Sequence, residues 1–482
     1  MAYRHGVYTR EIPTRIVPPV RVDCGLPVVF GTAPINKAID PAETNRPYLI
    51  FSYEEAVKKF GFSEDWKNYT LSEMIYSQFA LYGMAPIVLV NVLDPKKHME
   101  AGNGTFEITR GKGQLKVAGV IPETLKIKSK TGSEVFKLAE DYIIEFENAN
   151  DYPNIVVTAE KMVDGTYTAE FDKITPEKIT KKEIIGGIDG ATNKKTGLEL
   201  VSEVYPRFGL VPGLVAAPGY SGDSEVAAIM ETKAARINGV FKADALIDLD
   251  ADKNYDEVSR EKNIKNFVST HQFVCYPRVG LGDKVYHLST HMIGIINQTD
   301  FDNDDVPYVS PSNKMIKIDK TLMKGKERLF GLEEANYLNG QGVVTALNFS
   351  GGWKLWGNRT GAYPSNTDVK DAFIPIRRMF NWVANTLVLT FWNKVDNPMN
   401  KRSVETIIDS ANLWLNGLVA QGCLYGARVK VLTDENPITD LMDGIIRFHV
   451  YMTPPAPMRQ IEFIQEYNVE YLSTFVETIA AL

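Results

Sequence analysis

Leu26-Pro27-Val28-Val29-Phe30-Gly31-Thr32-Ala33 is the stretch that decides the fold class. It is apolar without alternation, as a strand covered on both faces must be. A helical stripe of Leu71, Met74, Ile75 and Phe79 follows, and then a second continuous run, Ala85-Pro86-Ile87-Val88-Leu89-Val90-Asn91-Val92. Strand, helix and strand with unbroken apolar strands predict an α/β frame. The pattern resumes after Gly186-Gly187. Gly213–Gly219, Ala245–Leu249 and Gln272–Tyr276 read as strands. A helix from Ser224 carries Val226, Ile229, Met230, Ala234 and Ile237, and a short helix is expected over Thr290–Asn297. These alternating elements predict a doubly wound sheet.

Between the two parts of the frame the pattern changes. From Gly104 to about Ile185 short alternating strands are separated by turns such as Lys130-Thr131-Gly132-Ser133. This predicts a small all-β module inserted into the frame. Another change comes at Gly351-Gly352, the tip of a hairpin between Val343–Leu347 and Trp353–Trp356. A helix begins near Pro375, a residue suited to a first turn. It buries Ile376, Met379, Phe380, Val383, Leu387 and Phe391 and turns Arg377, Arg378, Asn381 and Asn385 the other way. The next, with Ser403 as its expected cap, has the stripe Val404, Ile407, Ile408, Ala411, Leu415 and Leu418. Strands over Ala427–Val431 and Gly444–Val450 follow.

The two ends are extended segments beside prolines. Gly6–Ile12 is strand-like and is followed by Pro13, Pro18 and Pro19. After Pro454, Pro455 and Pro457 the chain alternates, with Ile461, Phe463, Tyr467, Val469 and Tyr471 on one face. At about 3.3 Å per residue this run would span about 35 Å. A strand needs a hydrogen-bonding partner. That partner is either an edge of the chain's own sheet or an edge in another copy, and the pattern leaves both open.

Composition bounds the function. The 482 residues suffice for about three domains, and a formal net charge of -7 disfavours a general nucleic-acid binder. Cys24, Cys275 and Cys423 are too few and too scattered for a disulfide scaffold, and the first residues lack the apolar core of a signal peptide. Phe380–Trp392 is too short and too polar to span a bilayer, so no membrane insertion is expected. Enzyme chemistry is poorly supported. His287 and His291 are four apart, but no HExxH arrangement or nearby Cys completes a zinc site. Gly219-Tyr220-Ser221-Gly222-Asp223 lacks the last glycine of a nucleophile elbow. Asp248 and His271 are the partners a serine hydrolase would need, and the alternative is that Ser221 and Asp223 cap the helix. No phosphate-binding loop is present, and Asp300, Asp302, Asp304 and Asp305 lack the spaced Glu of a calcium loop. No cofactor and no metal is expected.

Four blocks resemble the contractile tail sheath family of phages and phage-tail-like bacteriocins. They are Gly6-Val7-Tyr8 with Glu11, Glu334–Asn339 with Gly342–Thr345, Gly351-Gly352-Trp353-Lys354-Leu355-Trp356-Gly357-Asn358-Arg359-Thr360, and Ile376-Arg377-Arg378-Met379 with the run Glu462–Leu472. The resemblance covers the N-terminal arm, the α/β frame and the C-terminal third, and leaves out the β-module. It implies a multidomain α/β fold. Residues 21–95 and 188–349 would form a subtilisin-like α/β middle domain, and 96–187 an outward-facing inserted all-β domain. Residues 350–457 would form an α+β inner domain facing a tube. Residues 1–20 and 458–482 would be arms whose strands are exchanged between subunits through Val7, Tyr8, Thr9, Ile461, Phe463, Tyr467, Val469 and Tyr471. The implied function is that of a structural sheath subunit and not an enzyme. Its implied partners are further copies of itself in a helical homopolymer, the inner tube protein, and baseplate and tail terminator proteins, with no direct contact to nucleic acid. Arg377, Arg378, Lys401 and Arg402 are the candidate tube contacts. The implied location is the bacterial host cytoplasm during assembly and a released particle afterwards.

Overall fold

A computed structural model describes residues 24–129, 134–146 and 151–481. Val7, Tyr8 and Thr9 and the turn at 130–133 lie outside the described residues.

The frame is one eight-stranded sheet. Six parallel strands lie in the order Ile87–Asn91, Pro27–Gly31, Leu214–Ala216, Asp244–Asp248, Gln272–Cys275 and Val343–Asn348. One antiparallel strand closes each side, Tyr48–Ile50 at one edge and Trp353–Trp356 at the other. Pro27–Gly31 and Ile87–Asn91 are buried at every position, because helices cover both faces. The helix expected from Ser224 runs from Ser224 to Ala235, and Asp223 caps it by accepting the N–H groups of Glu225 and Val226. The short helix expected at 290–297 extends over Leu288–Phe301 and is buried along most of its length.

The inserted module is a seven-stranded sheet with its own core, built on Phe106, Ile127, Tyr142, Tyr167 and Phe171. Its spine is the antiparallel pair Met99–Thr109 and Gly165–Ile174, in register from Ile108↔Gly165 to Met99↔Ile174. Two of its contacts to the frame meet at Asp151. Lys37 Nζ lies 3.0 Å from Asp151 Oδ1, and Ser63 Oγ donates to Asp151 Oδ2 at 2.6 Å.

In the C-terminal third two long helices, Ile374–Phe391 and Lys401–Ala420, stand beside a two-stranded antiparallel sheet of Gly426–Lys430 and His449–Thr453. The second helix is capped by Asn400, whose side chain accepts the Ser403 N–H, rather than by Ser403 itself. The last strand begins at His449, later than the apolar run at 444–448 suggests.

The tail differs from its sequence reading. Residues 454–469 form neither helix nor strand, and Glu470–Ala480 is an α-helix. Ile461, Phe463, Tyr467 and Val469 are therefore not in a strand in the single chain, and Tyr471 is helical. The physical reason is the missing partner edge: all five side chains face solvent, Phe463 at 87% exposure.

Candidate assembly surface

The Gly426–Lys430 and His449–Thr453 ladder has only two strands. A pair of strands this short is marginal without further cover. One outer edge is closed by a side chain. Asn412, from the helix Lys401–Ala420, accepts the Val429 N–H at 2.7 Å and donates to the Val429 carbonyl at 3.3 Å. No described strand covers the outer edge of His449–Thr453. Beside this ladder lies a groove of about 1550 Å3, lined by Leu387 and Phe391 of the first long helix, Val404 and Ile407 of the second, and Ile445 and Phe448. A groove of this size next to an open strand edge leaves apolar side chains and backbone groups available for pairing.

Two of the four candidate tube contacts are not at the surface. Arg378 is 3% exposed and forms a two-pronged ion pair with Asp300, with Nη1 2.9 Å from Oδ1 and Nη2 on Oδ2, while Nη2 also reaches the Cys24 carbonyl at 3.3 Å. Burial alone would lower its pKa, but the Asp300 carboxylate outweighs burial and raises it. Arg377 is 7% exposed and pairs with Asp371 at 3.1 Å. The pair Arg378–Asp300 pins the first long helix to Leu288–Phe301 of the frame. It also uses one carboxylate of the acidic cluster considered for calcium. Lys401 and Arg402 remain exposed, with Lys401 3.7 Å from Glu405.

The carboxyl ends of the parallel strands, where α/β folds place ligands, hold a buried polar cluster. Ser221 is buried. Its Oγ accepts the Asp248 N–H at 3.0 Å and lies 3.4 Å from Asp248 Oδ2. Asp248 also accepts the Ser289 hydroxyl at 2.5 Å, and burial raises its pKa. His271 sits at the other end of the strand, 3.0 Å from Asp244, about 13 Å along a strand of this length. The Ser221–Asp248–His271 arrangement of a hydrolase is therefore not assembled. His287 Nδ1 lies 2.8 Å from Glu73, whose other oxygen accepts the His287 N–H and the Thr290 hydroxyl. Burial opposes protonation of His287, but Glu73 outweighs it and raises the pKa. His291 Nδ1 meets the Tyr82 hydroxyl at 2.9 Å, and burial lowers its pKa to about 3. Each of these two histidines thus has a partner of its own within the core. Among the described residues no group of three or more His, Cys, Asp and Glu side chains is placed to hold a metal ion.

Sequence reasoning missed the groove, the Asn412 edge cap and the terminal helix. Only the helix left a signal, the spacing of Leu472, Phe475, Val476 and Ile479.

The fold matches solved sheath subunits along the chain. The sheath complex of the extracellular contractile injection system PVC, in its contracted state, superposes with a TM-score of 0.60 at 14% identity, covering 98% of this chain and 99% of that one. The helical sheath of the anti-feeding prophage, also contracted, gives 0.57 at 15% identity, covering 97% and 100%. The fold is thus the one these sheath subunits share. Sequence comparison agrees. The chain is 26% identical over 494 residues to the tail sheath protein of Burkholderia phage BcepMu, covering 98% of each. It is 24% identical to the major tail sheath protein of Serratia phage KSP20, over 61% of this chain and 72% of that one. No family model matches. Fold and sequence both liken this chain to contractile tail sheath proteins.

Proposed function

We propose that this chain is the structural subunit of a contractile tail sheath. Copies polymerise around a rigid inner tube in a metastable extended state. A signal from the baseplate releases them to a shorter, wider helix, and the tube is driven through a target envelope. The observation that carries this reading is the unfinished inner end: an open strand edge and an apolar groove, next to an arm whose apolar side chains stay exposed. The match to sheath proteins over almost the whole length supports it.

The domain limits follow the same reading: arms at 1–20 and 458–482, a middle domain from 21–95 and 188–349, the inserted domain at 96–187 and an inner domain at 350–457. A single reversal of strand order beside Pro27–Gly31 supports a subtilisin-like middle domain. Such a likeness brings no protease chemistry with it. The N-terminal strand of one subunit and the C-terminal strand of another would complete the inner sheet of a third. The edge of His449–Thr453 is the natural acceptor, since Asn412 blocks the opposite one. Transferring Ile461, Phe463, Tyr467, Val469 and Tyr471 from water into such a site is worth about 7–15 kcal/mol per arm at most. Backbone pairing sets its direction. A head-to-tail contact of this kind does not close and generates a helix.

Contraction draws on better contacts between bodies in the compact state and consumes no nucleotide. Of the proposed tube contacts Lys401 and Arg402 are retained. Tube, baseplate and tail terminator proteins are the other partners, and the particle is assembled in the host cytoplasm before release. Deleting the residues after Pro457 should leave a folded body that forms no cylinders. Long cylinders of the truncated chain in electron micrographs would refute the arm model.

A further inference from the structure

We propose that the helix Glu470–Ala480 is a second fastener, distinct from the extended part of the arm, and that it seats in the groove between Ile374–Phe391 and Lys401–Ala420 of another copy of this chain. The inference rests on the sheath reading for its premise that copies meet. The helix has eleven residues. Isolated helices of that length are marginal in water, so its stability calls for a packing surface. Its stripe Leu472, Phe475, Val476 and Ile479 is between 48% and 63% exposed.

The groove matches it in size. At 1.5 Å per residue and a diameter of 10–12 Å, eleven helical residues fill about 1,300–1,900 Å3, against about 1550 Å3 available. The lining offers Leu387, Phe391, Val404 and Ile407 to the apolar stripe. Charge does not decide the fit, because Lys394 and Arg402 at the groove are offset by Asp396, Asp409 and Asp443. The choice of a second copy comes from the tether. Residues 454–469 reach about 53 Å when extended, more than twice the radius of gyration of about 22 Å expected for a compact body of this size. The tether leaves the ladder at Thr453, beside the chain's own groove, and Pro454, Pro455 and Pro457 stiffen it there. In the single chain the helix is outside that groove, and no other described residue covers either apolar face.

The test uses two full-length variants, Val476→Cys and Ile407→Cys, mixed under assembly conditions, oxidised and run on a denaturing gel, with the unaltered chain as control for Cys24, Cys275 and Cys423. The expected result is a covalent dimer formed only in the mixture. Placing both substitutions on one chain separates the alternatives, and a purely internal link there, with no dimer, overturns the proposal. Electron microscopy of the same samples distinguishes this inference from its premise. A mixed-copy link without cylinders sustains the helix docking and overturns the sheath reading. Cylinders without the link overturn the docking and leave the sheath reading standing. The absence of both overturns both. Phe475→Asp gives an independent reading: assembly should need at least a tenfold higher protein concentration, and an unchanged threshold counts against the helix.

Discussion

Replacing Arg378 with alanine should destabilise the folded body strongly, and the magnitude follows from what is left behind. Asp300 is buried, and its carboxylate takes both prongs of the guanidinium. Removing one partner of a buried, hydrogen-bonded pair leaves an uncompensated charge and costs about 3–5 kcal/mol. The Cys24 carbonyl loses a donor as well. At about 2–4 °C per kcal/mol for a body of a few hundred residues, the melting temperature should fall by about 6–20 °C. The assay is thermal or urea unfolding of the unassembled chain. The control is the double variant Arg378→Met with Asp300→Leu, which removes both charges and should recover most of the loss, since apolar replacement of a buried pair is often neutral or better. A loss below about 1 kcal/mol would be that of a solvated surface pair and would refute the reasoning. A tube-contact role predicts the opposite signature, an unchanged melting curve with weakened tube association.

His291 gives the stability a pH dependence. Its folded pKa of about 3 lies below the ordinary value of 6.5. The unfolded chain therefore takes up a proton that the folded chain refuses. This contribution is complete above pH 6.5 and is lost as the pH falls, by about 1.4 kcal/mol per unit. Urea unfolding between about pH 7 and pH 5.5 should show the fall, and His291→Gln should flatten it. Ser221→Ala should leave cylinder formation unchanged by electron microscopy, at a stability cost of about 1 kcal/mol for the lost Asp248 N–H bond. Contraction of assembled particles should proceed without ATP, and a strict nucleotide requirement would contradict stored strain as the source of work.

The frame was legible because its strands are buried on both faces. Val28, Val29, Phe30 and Ile87–Val90 announce themselves as continuous apolar runs, and the hairpin at Gly351-Gly352 lies where the glycines put it. What stayed hidden depends on distant partners. Arg377 and Arg378 fall on the polar face of an amphipathic helix and read as solvated. Asp300, 78 positions away, makes the burial of Arg378 tolerable. Glu73 and His287 meet across 214 positions, so neither carries a local sign of the other. The tail is a different case: Ile461–Val469 alternates like a strand but has no partner edge in the single chain, and from Tyr471 and Leu472 onward the spacing changes to that of a helix. The groove exists only once two helices and a ladder are in place, and no single segment encodes it.

The seven-stranded module is entered and left through one pair of strands, with Met99 opposite Ile174. Residues so paired have their Cα atoms about 5 Å apart. The chain thus departs from the frame and returns to it at nearly the same point. Evolution, or an engineer, is free to exchange what lies beyond that doorway for a unit whose own termini are neighbours, provided the newcomer also supplies what Asp151 gives to Lys37 and Ser63.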